Sequence, residues 1–197
     1  RKSYLKEKRS SYFDASVFKN DDVYLDSYWQ NELYFSDIRE ELLRDLTSIS
    51  SMSDLGVVYM EGIKKSNSVS LHVRRGNYLN LKNFNVLDID YYMKAVEYIR
   101  KNVEKPTFYI FSDDLEWCKN SLGFLDNCIF VDSTKTEIDD LKLMSFCKHN
   151  IIANSSFSWW GAWLNQNCKK TVIAPKGWLL NDPSSSNVIL SDWTRNS

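Results

Sequence analysis

An α/β fold with a parallel sheet covered on both faces follows from three observations. From about residue 66, short apolar runs rich in β-branched and aromatic residues alternate with runs whose apolar residues recur at helical spacing. Five such strands separated by helices make βαβ units, and these assemble into parallel sheets. The chain has 197 residues, 43% of them hydrophobic, enough to bury the core such a sheet needs.

The elements follow in order. Residues 23–25 read as a strand, and 36–46 and 53–65 as helices. Residues 68–73 (SVSLHV) form the first strand of the alternating region. A helix over 88–103 starts at an Asp and carries Lys and Arg near its end, as the helix dipole favours. Pro106 breaks that pattern before a buried strand at 107–111 (TFYIF). A short helix over 113–122 ends at Gly123, a strand follows at 128–132, and a helix over 137–148 closes at His149, assigned a structural role. Then come a strand at 151–153, an aromatic helix over 157–165, a strand at 171–174 and a polar loop at 181–187 before Trp193. Two regions result: 1–65, a partial connecting segment that is mostly helical, and 66–197, the parallel-sheet domain.

Lys plus Arg number 25 against 26 Asp plus Glu, and that balance argues against a nucleic-acid partner. No apolar run reaches the roughly 18 residues of a transmembrane helix, and no apolar segment of signal-peptide type opens the chain. Cys118, Cys128, Cys147 and Cys168 lack metal-site spacing and read as reduced thiols, which places the chain in the cytoplasm.

Ligands of doubly wound sheets bind beyond the carboxyl ends of the strands. Four polar segments occupy such ends: 72–78, 112–114, 132–136 and 154–158. In the first, Arg74 and Arg75 suit an anion, because a guanidinium fork grips phosphate bidentately; a salt bridge to Asp113 or Asp114 is the competing use. In the last, Asn154, Ser155 and Ser156 run into a helix whose N-terminal N–H groups suit phosphate, with plain capping as the alternative. The Trp residues of this block are assigned to core packing rather than to a sugar platform. Asp88 and Asp90 have D-x-D spacing but open a helix, so no metal is assigned. No Walker loop, G-x-G-x-x-G or Ser–His–Asp arrangement occurs, and hydrolase, kinase and nicotinamide chemistry lack support.

HVRRGNY (72–78), YIFSDD (109–114) and ANSSFSWWGAWLN (153–165), in that order, resemble the signature blocks of glycosyltransferase family 11, the α-1,2-fucosyltransferases. VYLDSYWQNELYF (23–35) and APKGW (174–178) extend the likeness from Asp22 to Trp178. The resemblance implies a Rossmann-like nucleotide-binding domain, the C-terminal half of a GT-B-like glycosyltransferase. It implies inverting, metal-independent transfer of L-fucose from GDP-β-L-fucose to the 2-hydroxyl of a galactose-terminated glycan, without a cofactor. Arg74 and Arg75 would then neutralise the leaving diphosphate, with His72 shaping the donor pocket. Ser155, Ser156 and Phe157 would hold diphosphate, with Asn77, Tyr78, Asp113, Asp114 and Asn154 completing the substrate site. A more distant resemblance, to α-1,6- and protein O-fucosyltransferases, puts a guanine-reading Asp sixteen residues before Ser156, at Asp140. A bacterial enzyme of this kind would act in the cytoplasm, peripheral to the inner membrane.

Two departures stand out. Asn77 occupies the place of a family Asp, and the family's glycine-rich opening segment is absent, so the chain reads as N-terminally incomplete. They leave three other readings: transfer to another linkage, a catalytically impaired GDP-sugar-binding module, and a lectin-like aromatic sugar binder. No motif carboxylate is marked as the general base.

Overall fold

A computed structural model of the chain describes residues 3–9, 11–19, 21–47, 52–82, 84–132, 134, 136–180 and 182–196. The predicted loops at 132–136 and 181–187 each include positions outside this set (Ser133, Lys135 and Asn181). Two short strands, β1 (Ser3–Lys6) and β2 (Val23–Asp26), pair in parallel as a separate ribbon. Short 3-10 turns lead to α1 (Arg39–Thr47) and α2 (Asp54–Lys65). Residues 1–65, expected to be mostly helical, therefore also carry a two-stranded sheet.

The main sheet alternates with helices in the predicted order: β3 (Asn67–Val73), α3 (Ile89–Asn102), β4 (Pro106–Ser112), α4 (Leu115–Leu122), β5 (Cys128–Phe130), α5 (Glu137–Phe146), β6 (His149–Ile151), α6 (Ser156–Leu164) and β7 (Val172–Pro175). A last strand, β8 (Thr194–Asn196), was not foreseen. Three residues, Thr-Arg-Asn, carry no apolar signal; backbone pairing to β7 places them at the sheet edge, and the Asn196 amide also donates to the Tyr91 carbonyl.

All six strands are parallel, in the order β5-β4-β3-β6-β7-β8. The chain winds from β3 out to β5, returns to the other side of β3 at β6, and winds away again. This is the Rossmann strand order, with its topological switch point between β3 and β6.

The pleat sorts side chains to the two faces. Val69, Leu71 and Val73 of β3, with Phe108 and Ile110 of β4, pack against Tyr92, Ala95, Val96 and Ile99 of α3. Tyr109 and Phe111 face the other way, onto Ile63 of α2 and Leu143 and Met144 of α5. The intervening β3 residues on that face, Ser68, Ser70 and His72, are polar yet buried. Asn150 satisfies this layer: its amide donates to Ser70 Oγ at 2.7 Å and to the Met144 carbonyl, and its Oδ1 accepts from Asn165.

That network explains a shift in register. The strand expected at 151–153 begins two residues earlier, at His149, because polar Asn150 is itself a core residue. His149 therefore opens a strand instead of closing a helix, and its Nδ1 accepts from the Thr171 amide at 3.0 Å. The helix before it stops at Phe146.

Hydrogen bonds and ring contacts also tie residues 1–65 to the sheet domain. Ser53 caps α2 and also donates to the buried Asp139 carboxylate of α5 at 2.7 Å. Glu32 accepts from the Trp163 indole at 2.7 Å, while Arg39 lies 4.0 Å over the same ring.

Candidate active site

At the switch point the loops after β3 and β6 part and leave a cleft of about 490 Å³. His72, Arg74 and Tyr78 line it from the β3 side, and Ser155, Ser156 and Phe157 from the start of α6. Phe111, Ser112 and Asp113 at the end of β4, with Glu137 and Asp140 of α5, complete the wall.

The two arginines part company. Arg74 faces the cleft, pairs with Asp113 at 3.1 Å and lies 5.3 Å over the Tyr78 ring. Arg75 turns away from it: its Nε meets Asp114 at 3.2 Å and its guanidinium covers Trp117 at 4.2 Å. Asp114 in turn caps α4, accepting from the Trp117 amide. Arg75 and Asp114, both expected in the site, thus form a brace behind it. Asp113 holds the loop from both sides, accepting from the Arg75 amide at 2.9 Å while pairing with Arg74. Gly76 is required here because a Cβ would run into the Asp113 carboxylate.

Asn77 sits at the rim, where its Oδ1 accepts from Arg74 at 3.4 Å. An amide at this position adds no charge beside the guanidinium. Tyr78 donates to the Asn154 carbonyl at 3.1 Å. Asn154 lies beneath the cleft, its amide nitrogen donating to the Asn85 and Trp178 carbonyls while its Oδ1 is buried without a partner among the described residues.

Two features are left open chemically. Ser53, Asp88, Asp114 and Thr136 each cap their helix with a side chain, but Ser155 at the start of α6 makes no capping bond. The first-turn N–H groups of α6 and its positive dipole end therefore face the cleft uncompensated. The second is His72, 4% exposed, with Nδ1 unpartnered and its ring 5.8 Å from Phe157. Burial, with Arg74 adding to it, lowers its pKa to about 4, so the imidazole is neutral at pH 7.

Asp140 reaches the cleft half-buried, and burial raises its pKa against the hydrogen bond from Thr134 Oγ1 at 2.7 Å. Its neighbour Asp139 faces α2 instead. Glu137 lines the cleft unforeseen, since a glutamate in a first helical turn looks like a dipole-compensating acid. Asp88 caps α3, and among the described residues no three His, Cys, Asp or Glu converge to hold a metal ion. No helix among them is long and apolar enough to cross a membrane.

A doubly wound parallel sheet, with one guanidinium and one uncapped helix N-terminus beside the cleft at its switch point, defines an α/β domain of Rossmann type. More narrowly, the chain belongs to glycosyl transferase family 11, whose model matches residues 2–196. It is 37% identical over 167 residues to the alpha-1,2-colitosyltransferase of Escherichia coli, covering 81% of this chain and 57% of that protein. It is 35% identical over 191 residues to the O-antigen biosynthesis glycosyltransferase WbnK of Escherichia coli, covering 94% and 61%. The galactoside 2-alpha-L-fucosyltransferase Sec1 of Mus musculus is 26% identical over 147 residues, 66% of this chain and 39% of its own. The chain thus spans about three-fifths the length of its bacterial relatives.

Proposed function

We propose that this chain supplies the donor half of an α-1,2-glycosyltransferase that moves a 6-deoxyhexose, L-fucose, from GDP-β-L-fucose to the 2-hydroxyl of a galactoside. The observation that carries this is Arg74 and the uncapped start of α6 converging on one cleft at the switch point. As the bond from the sugar's anomeric carbon to the β-phosphate oxygen breaks, its electron pair goes to the diphosphate. Arg74 and the α6 N–H groups stand ready to receive that charge, a preorganised electrostatic role that needs no metal. Neutral His72 offers a hydrogen bond without competing for charge. Attack by the acceptor oxygen from the opposite side inverts the anomeric centre. Asp140 offers a carboxylate to the guanine edge.

The identity to a colitosyltransferase favours a second reading of the donor sugar, colitose in place of fucose. The site of action follows from the substrate: a nucleotide-sugar enzyme of this type works in the cytoplasm, peripheral to the inner membrane.

Calorimetry of the chain with GDP, with UDP as control and EDTA present, tests the donor assignment. Binding selective for GDP in EDTA is expected, and equal affinity for UDP, or none for either, sinks it. Turnover of the two GDP-linked sugars side by side by the full-length enzyme then decides between fucose and colitose.

A further inference from the structure

A second cavity of about 310 Å³ adjoins the donor cleft, and Ser156 lines both. Its other walls are Tyr28, Trp29, Gln30, Asn31, Phe35, Trp159, Trp160 and Val188. Not one of these side chains is charged. A cavity without charge selects a neutral ligand, and aromatic faces beside amides suit a molecule with an apolar face and a rim of hydroxyls. A pyranose is such a molecule. Its ring C–H groups lie against an aromatic face while its hydroxyls seek amide and hydroxyl partners.

The walls are held ready. Trp160 stacks on Phe35 at 5.3 Å and meets the Trp159 ring edge-on at 5.2 Å. Trp159 is fixed by its indole N–H to the Val188 carbonyl at 2.8 Å. Trp160 is only half-buried, whereas Trp159, which also lines the cavity, and Trp163 are buried in the core. Across from it, Trp29 holds a left-handed backbone (φ 51), rare for a bulky residue, and residues 28–30 all contribute side chains to the wall. Tyr28 is 84% exposed, an unusual position for a large ring with no core to join. Asn31 spends its side chain locally, on the Ser11 carbonyl and the Leu33 amide. Gln30, by contrast, makes no hydrogen bond among the described residues, so its amide is available to a ligand.

We infer that this cavity is the acceptor subsite, taking a neutral pyranose of the acceptor glycan with Tyr28 and Trp160 as its aromatic walls and Gln30 as its hydroxyl reader. The inference rests on the donor reading for its orientation: Ser156 is where a leaving diphosphate and an incoming hydroxyl come together.

The test is lactose binding to the whole chain, alone and saturated with GDP, followed by saturation-transfer NMR and tryptophan fluorescence. The variants Tyr28→Ala and Gln30→Ala both alter residues outside the core, and a thermal melt checks their folding. Each should weaken lactose by about tenfold, the usual effect of truncating a binding anchor, while GDP affinity stays within about twofold. Lactose that fails to bind, or that binds both folded variants as well as wild type, overturns the subsite. Loss of GDP binding with lactose binding still dependent on Tyr28 sinks the donor reading and leaves the subsite standing.

Discussion

The cleft at the ends of β3 and β6 holds a guanidinium, an imidazole and three carboxylates. The cavity on the other side of Ser156 holds five aromatic rings and no charge. In the first, specificity comes from electrostatics: an uncapped helix, a paired arginine and a histidine kept neutral by burial. In the second it comes from shape and ring faces, with one unengaged amide. Each leaves a local requirement unmet. The charged cleft forgoes a cap and leaves a histidine nitrogen unpartnered, and the aromatic cavity leaves a tyrosine in solvent and a tryptophan in a left-handed turn.

Acid should separate the two most sharply. His72 is neutral in the fold down to a pKa of about 4 and titrates near 6.5 when unfolded, so the unfolded chain binds the extra proton between those values. The stability His72 contributes is whole above about pH 6.5 and is lost as pH falls towards 4, by about 3 kcal/mol at roughly 1.4 kcal/mol per pH unit. Burial raises Asp140 in the opposite sense, so the difference between wild type and His72→Gln isolates the histidine. Urea unfolding from pH 7 to 4 should show that difference changing with pH, and parallel curves would mean His72 is not held neutral. Lactose affinity measured where the chain remains folded should not follow this titration.

The arginines give the next largest contrast. Arg74→Ala should lower GDP affinity by roughly thirtyfold, about 2 kcal/mol, the scale of a charge-assisted contact. Arg75→Ala should leave GDP affinity within about threefold and instead lower stability by about 1 kcal/mol, from the lost Asp114 pair and Trp117 contact. Calorimetry beside denaturant midpoints checks both, and equal losses of GDP affinity would place both guanidinium groups on the ligand.

Ser156→Ala should have the smallest effect, about threefold on GDP and on lactose alike, the scale of one neutral hydrogen bond. A change in one ligand alone would show that the hydroxyl serves one chamber and merely borders the other.

Much of this was legible beforehand. Continuous apolar runs marked β4 and β7, and Asp88 and Asp114 announced the starts of their helices by type. The loops at 72–78 and 154–158 were legible as a site because strand ends are where such sheets bind ligands. What stayed hidden had physical causes. β8 is held by backbone hydrogen bonds to β7, which any residues can make. β6 begins at a polar pair because Asn150 is buried with partners from three different segments, Ser70 on β3, Met144 on α5 and Asn165 at the end of α6. YWQN at 28–31 was noticed only as part of a family likeness, since nothing local says it lies against α6.

By itself, the sequence determined the α/β alternation, the parallel sheet and the loops that bear the site, because periodicity and strand-end polarity are local properties. Only the tertiary structure decided which arginine faces the cleft. Adjacent residues after a strand point to opposite sides, and Asp113, Asp114 and Trp117, some 40 positions away, determine which guanidinium is claimed. The same holds for the aromatic cavity. Its walls come from residues 28–35 and 156–188, and only folding brings them together.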